Sequence, residues 1–399
     1  MPVNYHEIQG QIRQMGEQEP QRVQRLQALK QQAAELLETW NTNLDQLKSC
    51  AAQAAAVNRG LRCAVPVAEP LMAHYPPPVS PSGIIILAAD GSQINPSRHD
   101  SVPFGVINVG AFRMAPGSGL APAEVVHSEL ITGDQLYMDN GGAIGEEAVA
   151  LRRDLNERQL LADLAFKELR SAPQALVIAL TDGPLEPFVR DPQEREDVKQ
   201  LFADYLQSLR ALASPQVAAA GYVDKPRSDL VVRLLELVDL AQRGRLERAG
   251  HERSLPGVTD AGLLSEHLQP GDRSAVFGLQ SRSREAFSGE IELHFFYVNV
   301  GRPQRPSLVR VEVPAWVANN ADLLGLLHAV LIDQCQVLGT RPYPYALHRS
   351  HEVAVVRLEE KQQLQAMIEM ELRRRGMEPG DSSAKQFTKD HSGDRKRYS

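Results

Sequence analysis

Two apolar runs that each end in Asp-Gly constrain this chain more than any other feature of its sequence. Residues 84–89 lead into Asp90-Gly91, and residues 175–180 lead through Thr181 into Asp182-Gly183. A continuous apolar run of this length, closed by a turn signal, predicts a buried strand. Each strand would deliver a carboxylate into a tight turn at its carboxyl end, which is where open α/β sheets bind ligands. The two carboxylates therefore suggest a metal site.

The composition is that of an ordinary globular chain. Its 399 residues, 43% of them hydrophobic, can bury a sizeable core. No apolar run approaches the roughly 20 residues that cross a bilayer, so we expect a cytoplasmic protein with no membrane partner. The net charge of −7 gives no overall attraction to nucleic acid, so any DNA binding would need a local basic groove. Cys50, Cys63 and Cys335 lack Cys-x-x-Cys spacing and predict buried thiols without disulfides.

The first 80 residues divide into a helical part and a proline-rich part. Residues 1–65 form a predicted helical arm, whose long amphipathic helix from Glu19 to Val57 could supply a coiled-coil seam or pack on its own domain. Residues 66–80 contain a proline cluster that predicts a linker without regular structure.

The remainder is one predicted main domain, residues 81–375, followed by a tail. A polar, turn-rich stretch over residues 250–289 is interpreted as an insertion into this domain. Residues 376–399 are charged and contain Gly and Ser, so we expect this tail to be disordered.

The order of predicted elements indicates the fold class. Alternating patterns predict strands over 102–114 and 124–130 after the first apolar run, and a helix from Glu146 to Ser171 precedes the second run. A helix over 191–213 and a strand over 216–223 follow. The order predicts a ribonuclease H-like mixed α/β sheet flanked by helices, with three antiparallel strands first and right-handed crossovers before the later parallel strands.

Three acidic residues are candidate ligands for two divalent metal ions. Phosphodiester hydrolysis by such a pair needs carboxylates that converge from different elements. Asp90 and Asp182 close the two buried strands, and Glu157 lies in the helix between them. Because that helix rises about 20 Å from Glu157 to Ser171, a returning strand can bring Asp182 back beside Glu157. Further acids of the same helix compete with Glu157 for the role: Glu146, Glu147, Asp154, Asp163 and Glu168.

Tyr222 and His351 are the remaining candidates. Tyr222 ends an apolar strand, where a tyrosine can contact a phosphate, stack on a base or simply fill the core. His351 lies three residues after His348 in the last predicted helix, which runs from Tyr345 to about Arg375. A neutral imidazole beside carboxylates suits a transition ion such as Mn²⁺, although a helical histidine can equally be structural.

Five short motifs, taken together and in this order, resemble the NurA nuclease family and span about residues 80–365. They are Asp90-Gly91-Ser92, Asp182-Gly183-Pro184-Leu185, Gly221-Tyr222-Val223-Asp224, residues 310–316 (Arg-Val-Glu-Val-Pro-Ala-Trp) and Tyr343-Pro344-Tyr345 before His351. The resemblance implies a ribonuclease H-like fold with Asp90, Asp182 and Glu157 as metal ligands. It also matches Tyr222 and His351 to the family's strand-end tyrosine and C-terminal histidine.

The same resemblance implies an activity and partners. It implies a Mn²⁺-dependent 5′ to 3′ DNA exonuclease, with Mg²⁺ as a possible substitute and with single-strand endonuclease activity. It further implies a homodimer that works on DNA ends with a HerA-type hexameric ATPase in DNA end resection and double-strand break repair, hence a nucleoid-associated location.

Two other functions stay open from the residues alone. The helical arm and the hairpin over residues 291–313 could belong to a non-catalytic clamp or adaptor on a motor protein. Asp-Gly turns also occur in hydrolases of small phosphate esters.

Overall fold

The structure, a computed structural model, describes residues 3–137, 142–190 and 195–380. The helices are α1 (Tyr5–Thr39), α2 (Leu44–Val57), α3 (Glu146–Ser171), α4 (Glu196–Ala211), α5 (Leu230–Gln242), α6 (Asp260–Leu264), α7 (Ala315–Ala318), α8 (Ala321–Val337), α9 (Tyr345–Ala354) and α10 (Leu358–Arg374). The strands are β1 (Cys63–Pro66), β2 (His74–Tyr75), β3 (Ile84–Ile94), β4 (Gly105–Met114), β5 (Ala123–Ile131), β6 (Leu176–Asp182), β7 (Val217–Val223), β8 (Arg273–Ser274), β9 (Phe277–Gln280), β10 (Leu293–Asn299) and β11 (Leu308–Pro314).

The contacts between residues divide the chain into two compact units, whose boundaries differ from those of the four predicted parts. The first unit consists of Met1–Val79, Tyr222–Cys335 and Gly339–Pro342. The second unit consists of Ser80–Gly221, Gln336–Leu338 and Tyr343–Ser399. The predicted arm and linker thus group with the middle of the chain.

The second unit contains a mixed sheet in the order β7-β6-β3-β4-β5. β3, β4 and β5 are antiparallel neighbours, whereas β3 and β6 run parallel from Ile84↔Leu176 to Ala89↔Thr181. Both parallel strands are buried through these apolar runs, as expected for strands covered on two faces. The ribonuclease H-like fold class is therefore confirmed, and helix α3 has the predicted bounds.

The turn predicted at Asp90-Gly91 is wrong. Strand β3 continues to Ile94 because β4 stays paired with it, Asp90 lying opposite Gly110 and Ile94 opposite Val106. The parallel pairing with β6 stops one residue before Asp90. Asp90 thus lies inside a strand, at the point where its parallel neighbour ends.

Helix α9 packs directly on β3 and β4 because Gly110 has no side chain at the contact. A Cβ atom there would lie 2.5 Å from the backbone nitrogen of Ala354. Ser92 Oγ and Asn108 Nδ2 donate hydrogen bonds to the Ala354 carbonyl at 2.6 and 2.8 Å. These contacts fix the carboxyl end of α9 on the strand that carries Asp90.

The first unit contains an antiparallel sheet in the order β1-β9-β10-β11. The stretch 250–289, interpreted as a polar insertion, supplies α6, β8 and β9, and Phe277 on β9 is fully buried. Strand β2, inside the predicted linker, pairs with β8. Both segments contribute to the core of this unit, because their short strands find partners far away in sequence.

The single helix predicted over residues 19–57 is two helices. α1 begins at Tyr5, contains Pro20 and ends at Thr39, and α2 begins at Leu44. Buried side chains on α1 occur only towards its carboxyl end, at Ala33 and Leu37, among the residues described. That end packs on α5 and α6, which supports the packed arm rather than the coiled-coil seam for this part of the helix.

The last predicted helix is also two helices, α9 and α10, separated at residues 355–357. Residues 381–399 of the predicted disordered tail, and residues 191–194 of the predicted helix over 191–213, lie outside the described residues. The three cysteines are free and buried, as predicted. Across the described part of the chain, no helix combines the length and apolarity that a membrane crossing requires.

Candidate active site

The carboxylates of Asp90 and Asp182 stand on neighbouring parallel strands. Ala89 pairs with Thr181, so the next residue on each strand is one of the two acids. Strand β6 ends at Asp182, and Gly183 takes a φ of 85° to turn the chain away, as its sequence predicted. The parallel sheet thus presents both carboxylates at one edge.

Glu157 is the buried acid among the predicted alternatives on α3, with 5% of its surface exposed. Glu147 and Glu168 form ion pairs with Arg195 and Arg113. Asp163 is exposed. A buried acid without a short ion pair is a better candidate for a ligand-binding role than a paired or solvated one.

Gly91 brings Glu157 close to Asp90. A Cβ atom at Gly91 would lie 2.6 Å from Glu157 Oε1 and 2.6 Å from Cγ of Arg153. The missing side chain therefore lets α3 approach β3 beside Asp90. Burial first, and then the charges of Asp154 and Asp90, raise the pKa of Glu157 well above its ordinary value.

Two arginines flank Glu157 without fully balancing its charge. Arg153 Nε lies 3.5 Å from Glu157 Oε1, and Arg158 Nη1 lies 3.9 Å from Oε2. Arg153 is closer to Asp154, with Nη2 donating to Oδ1 at 2.7 Å. These long ion pairs lower the pKa of Glu157, but burial and the neighbouring acids outweigh them.

His351 projects from the last turn of α9 towards Asp90. Its Nδ1 lies 2.6 Å from Asp90 Oδ2, and 61% of its side chain is exposed. The hydrogen bond between Nδ1 and the carboxylate fixes the ring, and Nε2 takes no part in that bond. The fold thus places His351 beside Asp90, although the two residues are 261 positions apart in the sequence.

Asp182 is exposed, yet its neighbours disfavour its charge. Desolvation by the surrounding groups and then the charge of Asp90 raise its pKa. Hydrogen bonds from the Tyr343 side chain and the Gly183 backbone, and the charge of His351, act in the opposite direction. Asp182 is open to solvent, so this desolvation comes from groups crowded around it and not from enclosure in a core.

Tyr222 belongs to the first unit, because the boundary between the two units falls within β7, just before this residue. Its side chain is fully buried, and its hydroxyl lies 3.7 Å from Sγ of Cys335. The two possibilities left open by the sequence were a strand-end contact and a core aromatic. Its burial is that of a core aromatic, and its contact with DNA stays a prediction.

The donor set fits a divalent metal ion. Carboxylates of Asp90, Glu157 and Asp182 with the imidazole of His351 are ligands that Mn²⁺ accepts, and the carboxylates also suit Mg²⁺. Burial and, to a lesser extent, the charge of Asp90 raise the pKa of Glu157 and of Asp182, and a bound cation would favour the charged form of both. Within the described residues, no three His, Cys, Asp or Glu side chains already form a ready metal-binding group, so the carboxylates would have to draw together.

Three residues that contact these acids, Arg153, Arg158 and Tyr343, had no predicted role. Arg153 precedes Glu157 by four residues, so helical spacing could have identified it. Tyr343 belongs to a motif that the resemblance used, but the motif alone did not reveal its bond to Asp182. Arg158 gave no signal, because a buried arginine has the same appearance in a sequence as a solvated one.

Comparisons with known proteins agree with the sequence resemblance. The NurA domain family model matches residues 84–356, more than half of the chain. No curated protein matches the sequence.

Several solved structures are similar to this chain. They include the NurA nuclease from Sulfolobus solfataricus, with 12% identity, 84% of this chain and 95% of that chain covered, and a TM-score of 0.46. The catalytic domain of human Endonuclease V has 11% identity, coverage of 82% and 97%, and a TM-score of 0.30. LC9-RNase H1 has 14% identity, coverage of 43% and 75%, and a TM-score of 0.22. At such scores the family match carries the assignment, and the structural likenesses add nothing to it.

Proposed function

The chain belongs to the NurA family, and we propose that it is a metal-dependent nuclease that hydrolyses DNA phosphodiester bonds. The observation that carries this proposal is the position of Asp90: it stands next to Asp182 on the neighbouring strand, it adjoins Gly91, which Glu157 approaches closely, and its Oδ2 lies 2.6 Å from His351 Nδ1. Metal-assisted phosphodiester hydrolysis requires carboxylates from separate elements, and here they lie on neighbouring elements from which a cation could draw them together.

The proposed roles follow from the donor chemistry. Asp90, Glu157 and Asp182 would hold Mn²⁺, or Mg²⁺ in its place, and His351 would complete the set. A bound pair of divalent ions would supply activation of a water molecule and neutralisation of charge on the phosphate. His351, oriented by Asp90, keeps Nε2 available as a ligand or proton acceptor. Arg153 places a partly exposed guanidinium beside the acids, where it favours an anionic substrate.

Tyr222 is proposed to position the DNA backbone, as the family resemblance implies. Direct contact would require its buried hydroxyl to become exposed. Tyr222→Phe tests this role, because unchanged KM and kcat on DNA would remove the hydroxyl from the mechanism.

The finer activity is supported by the resemblance to the family. We propose a 5′ to 3′ exonuclease with single-strand endonuclease activity that acts as a homodimer with a HerA-type hexameric ATPase in DNA end resection. Single- and double-stranded DNA ends are the proposed substrates, and the nucleoid is the proposed location. Because the net charge is −7, the DNA would be held by local basic groups rather than by overall attraction.

A metal-titrated cleavage assay tests the proposal. Single-stranded DNA labelled at the 5′ end, and the same strand labelled at the 3′ end, would be incubated with Mn²⁺, Mg²⁺ or EDTA. We expect cleavage with either metal, none in EDTA, and loss of cleavage in Asp90→Ala and Glu157→Gln.

Asp163→Asn is the matched control, since it neutralises an exposed acid of the same helix as Glu157. It should cut like the unmodified protein. Cleavage by Asp90→Ala, or no cleavage with any metal, would contradict the proposal. Turnover of a chromogenic phosphate ester without DNA cleavage would instead favour the small-ester hydrolase.

A further inference from the structure

Arg158 is a buried cation next to a proposed metal ligand. It follows Glu157 directly on α3, and only 3% of its surface is exposed. Its Nη1 lies 3.9 Å from Glu157 Oε2 and donates no hydrogen bond within the described residues. A buried guanidinium is costly unless its neighbours compensate it, so Arg158 is not an ordinary surface charge.

Tyr205 of α4 connects Arg158 to the turn that follows β6. Arg158 Nε donates to the Tyr205 hydroxyl at 3.3 Å, and the same hydroxyl donates to the Leu185 carbonyl at 2.6 Å. The guanidinium carbon also lies 5.7 Å from the centre of the Tyr205 ring. Burial raises the pKa of Tyr205 to about 12, so the hydroxyl keeps the proton that it donates.

The turn held by Tyr205 is the one that begins at Asp182. Leu185 comes three residues after Asp182, and Gly183 between them adopts its positive φ. Gly221 of β7 supports the same turn from another side, since a Cβ atom there would lie 2.6 Å from the Gly183 carbonyl oxygen. The turn therefore has little freedom once Tyr205 is bonded.

We propose that Arg158 and Tyr205 are positioning residues that hold Glu157 and Asp182 in a fixed relation to each other. One end of the connection contacts Glu157, and the other end holds the turn that carries Asp182. The proposal rests on the proposed function, because it treats these two acids as parts of one metal site. Neither positioning residue would touch substrate or metal.

Tyr205→Phe tests the proposal because it keeps the ring and removes only the hydroxyl. Binding of Mn²⁺ would be measured by calorimetry without DNA, and kcat and KM on single-stranded DNA at a series of Mn²⁺ concentrations. Groups that orient a metal ligand typically contribute 10- to 100-fold in metal affinity. We expect Mn²⁺ affinity to fall about 10-fold, with a matching rise in the Mn²⁺ concentration for half-maximal activity and no change in KM for DNA.

Tyr297→Phe is the matched control. Tyr297 is also fully buried, and its hydroxyl bonds to Asp260 at 2.6 Å and Ser228 at 3.1 Å, all within the first unit. This variant should lower the Tm by a similar amount while leaving Mn²⁺ affinity unchanged. Equal Mn²⁺ affinities for Tyr205→Phe and Tyr297→Phe would overturn the proposal.

Arg158→Lys keeps the test decisive if Tyr205→Phe does not fold. Lysine retains the charge beside Glu157 but loses the fork that bonds to Tyr205. We expect the same loss of Mn²⁺ affinity, and unchanged affinity in this variant would overturn the proposal. Failure of the nuclease function is a separate outcome: the unmodified protein would bind Mn²⁺ but cut no DNA. An unmodified protein that binds no Mn²⁺ contradicts both ideas.

Discussion

Glu236, a buried acid of the first unit, and the candidate acids of the second unit are compensated in opposite ways. In the first unit, Glu236 accepts hydrogen bonds from Arg233 at 2.8 Å, Arg253 at 2.6 Å and the Leu255 backbone at 2.8 Å. Two cations and one backbone donor therefore surround a single carboxylate. Such an acid is part of the framework.

In the second unit, acids are near neighbours of other acids. Burial and then the charges of neighbouring acids, Asp90 among them, raise the pKa of both Glu157 and Asp182, and the arginines beside Glu157 lie 3.5 and 3.9 Å away. Burial alone therefore does not distinguish a structural acid from a functional one. The distinguishing feature is whether the protein itself supplies the opposite charge.

Neutralising Asp182 should have the largest effect among the substitutions that separate functional from structural acids. Asp182→Asn removes a proposed metal ligand, so DNA cleavage should fall by roughly a thousandfold or more. The same change relieves repulsion from Asp90, so the Tm without metal should rise. Cleavage rates and calorimetric scans in EDTA measure the two effects. A lower Tm would mean that Asp182 is a structural acid after all.

Neutralising Glu236 should have the opposite result. Glu236→Gln removes the counter-ion of the buried Arg233 and one of the two acids that pair with Arg253, which should lower the free energy of unfolding by about 3 kcal/mol. Urea unfolding measures this loss, and Mn²⁺ affinity should not change. Glu266→Gln is the control, because its exposed pair with Lys30 is worth less than about 1 kcal/mol. Equal losses in the two variants would contradict our distinction.

Asp260 is a buried acid of the first unit whose contribution to stability depends on pH. Burial, opposed by hydrogen bonds from Tyr297 and the Val232 backbone, raises its pKa to about 6, against about 4 in an unfolded chain. Its stabilising contribution is therefore full below pH 4 and is lost as the pH rises through 6. The difference corresponds to roughly 3 kcal/mol.

The Asp260→Asn variant isolates that contribution. Between pH 7 and pH 4, the unfolding free energy of the unmodified protein should rise relative to that of Asp260→Asn. Urea unfolding at several pH values gives both curves. Parallel curves would show that Asp260 does not titrate in this range.

Gly91→Ala should give the smallest effect, and it tests how closely the second unit is packed around its acids. The new Cβ would displace Glu157 or Arg153, so activity should fall by roughly 10- to 100-fold while the fold persists. Gly278→Ala is the strand control in the first unit, where the nearest atoms of Val65 lie 3.7 Å away. Activity measured at saturating Mn²⁺ should be unchanged in the control. Unchanged activity in Gly91→Ala would show that Glu157 tolerates displacement.

The elements that could be predicted are those whose sequence pattern is local. The helix Glu146–Ser171 and the two apolar strands were predicted because periodicity and burial are visible over a few residues. The turn after Asp182 was predicted from the Asp-Gly pair alone, and the positive φ of Gly183 agrees with it.

The features that could not be predicted depend on partners far away in the chain. Strand β3 extends past Asp90 only because β4 pairs with it, and β9 forms because Cys63 and its neighbours supply an edge. The surroundings of Glu157 likewise required α4 and β3 to be in place. A pattern within α3 could not distinguish Arg158, which is buried, from Arg152, which pairs with Glu129.

The separation of Asp90 and His351 has a consequence for the timing of activity. Asp90 and His351 are 261 residues apart, and the glycine contact that seats α9 also needs Ala354. During translation, Asp90, Glu157 and Asp182 are therefore incorporated long before His351, the residue that bonds to Asp90. A chain whose translation stops before Tyr345 has its carboxylates but lacks α9 and His351, so under our proposal its set of metal-binding groups would be incomplete.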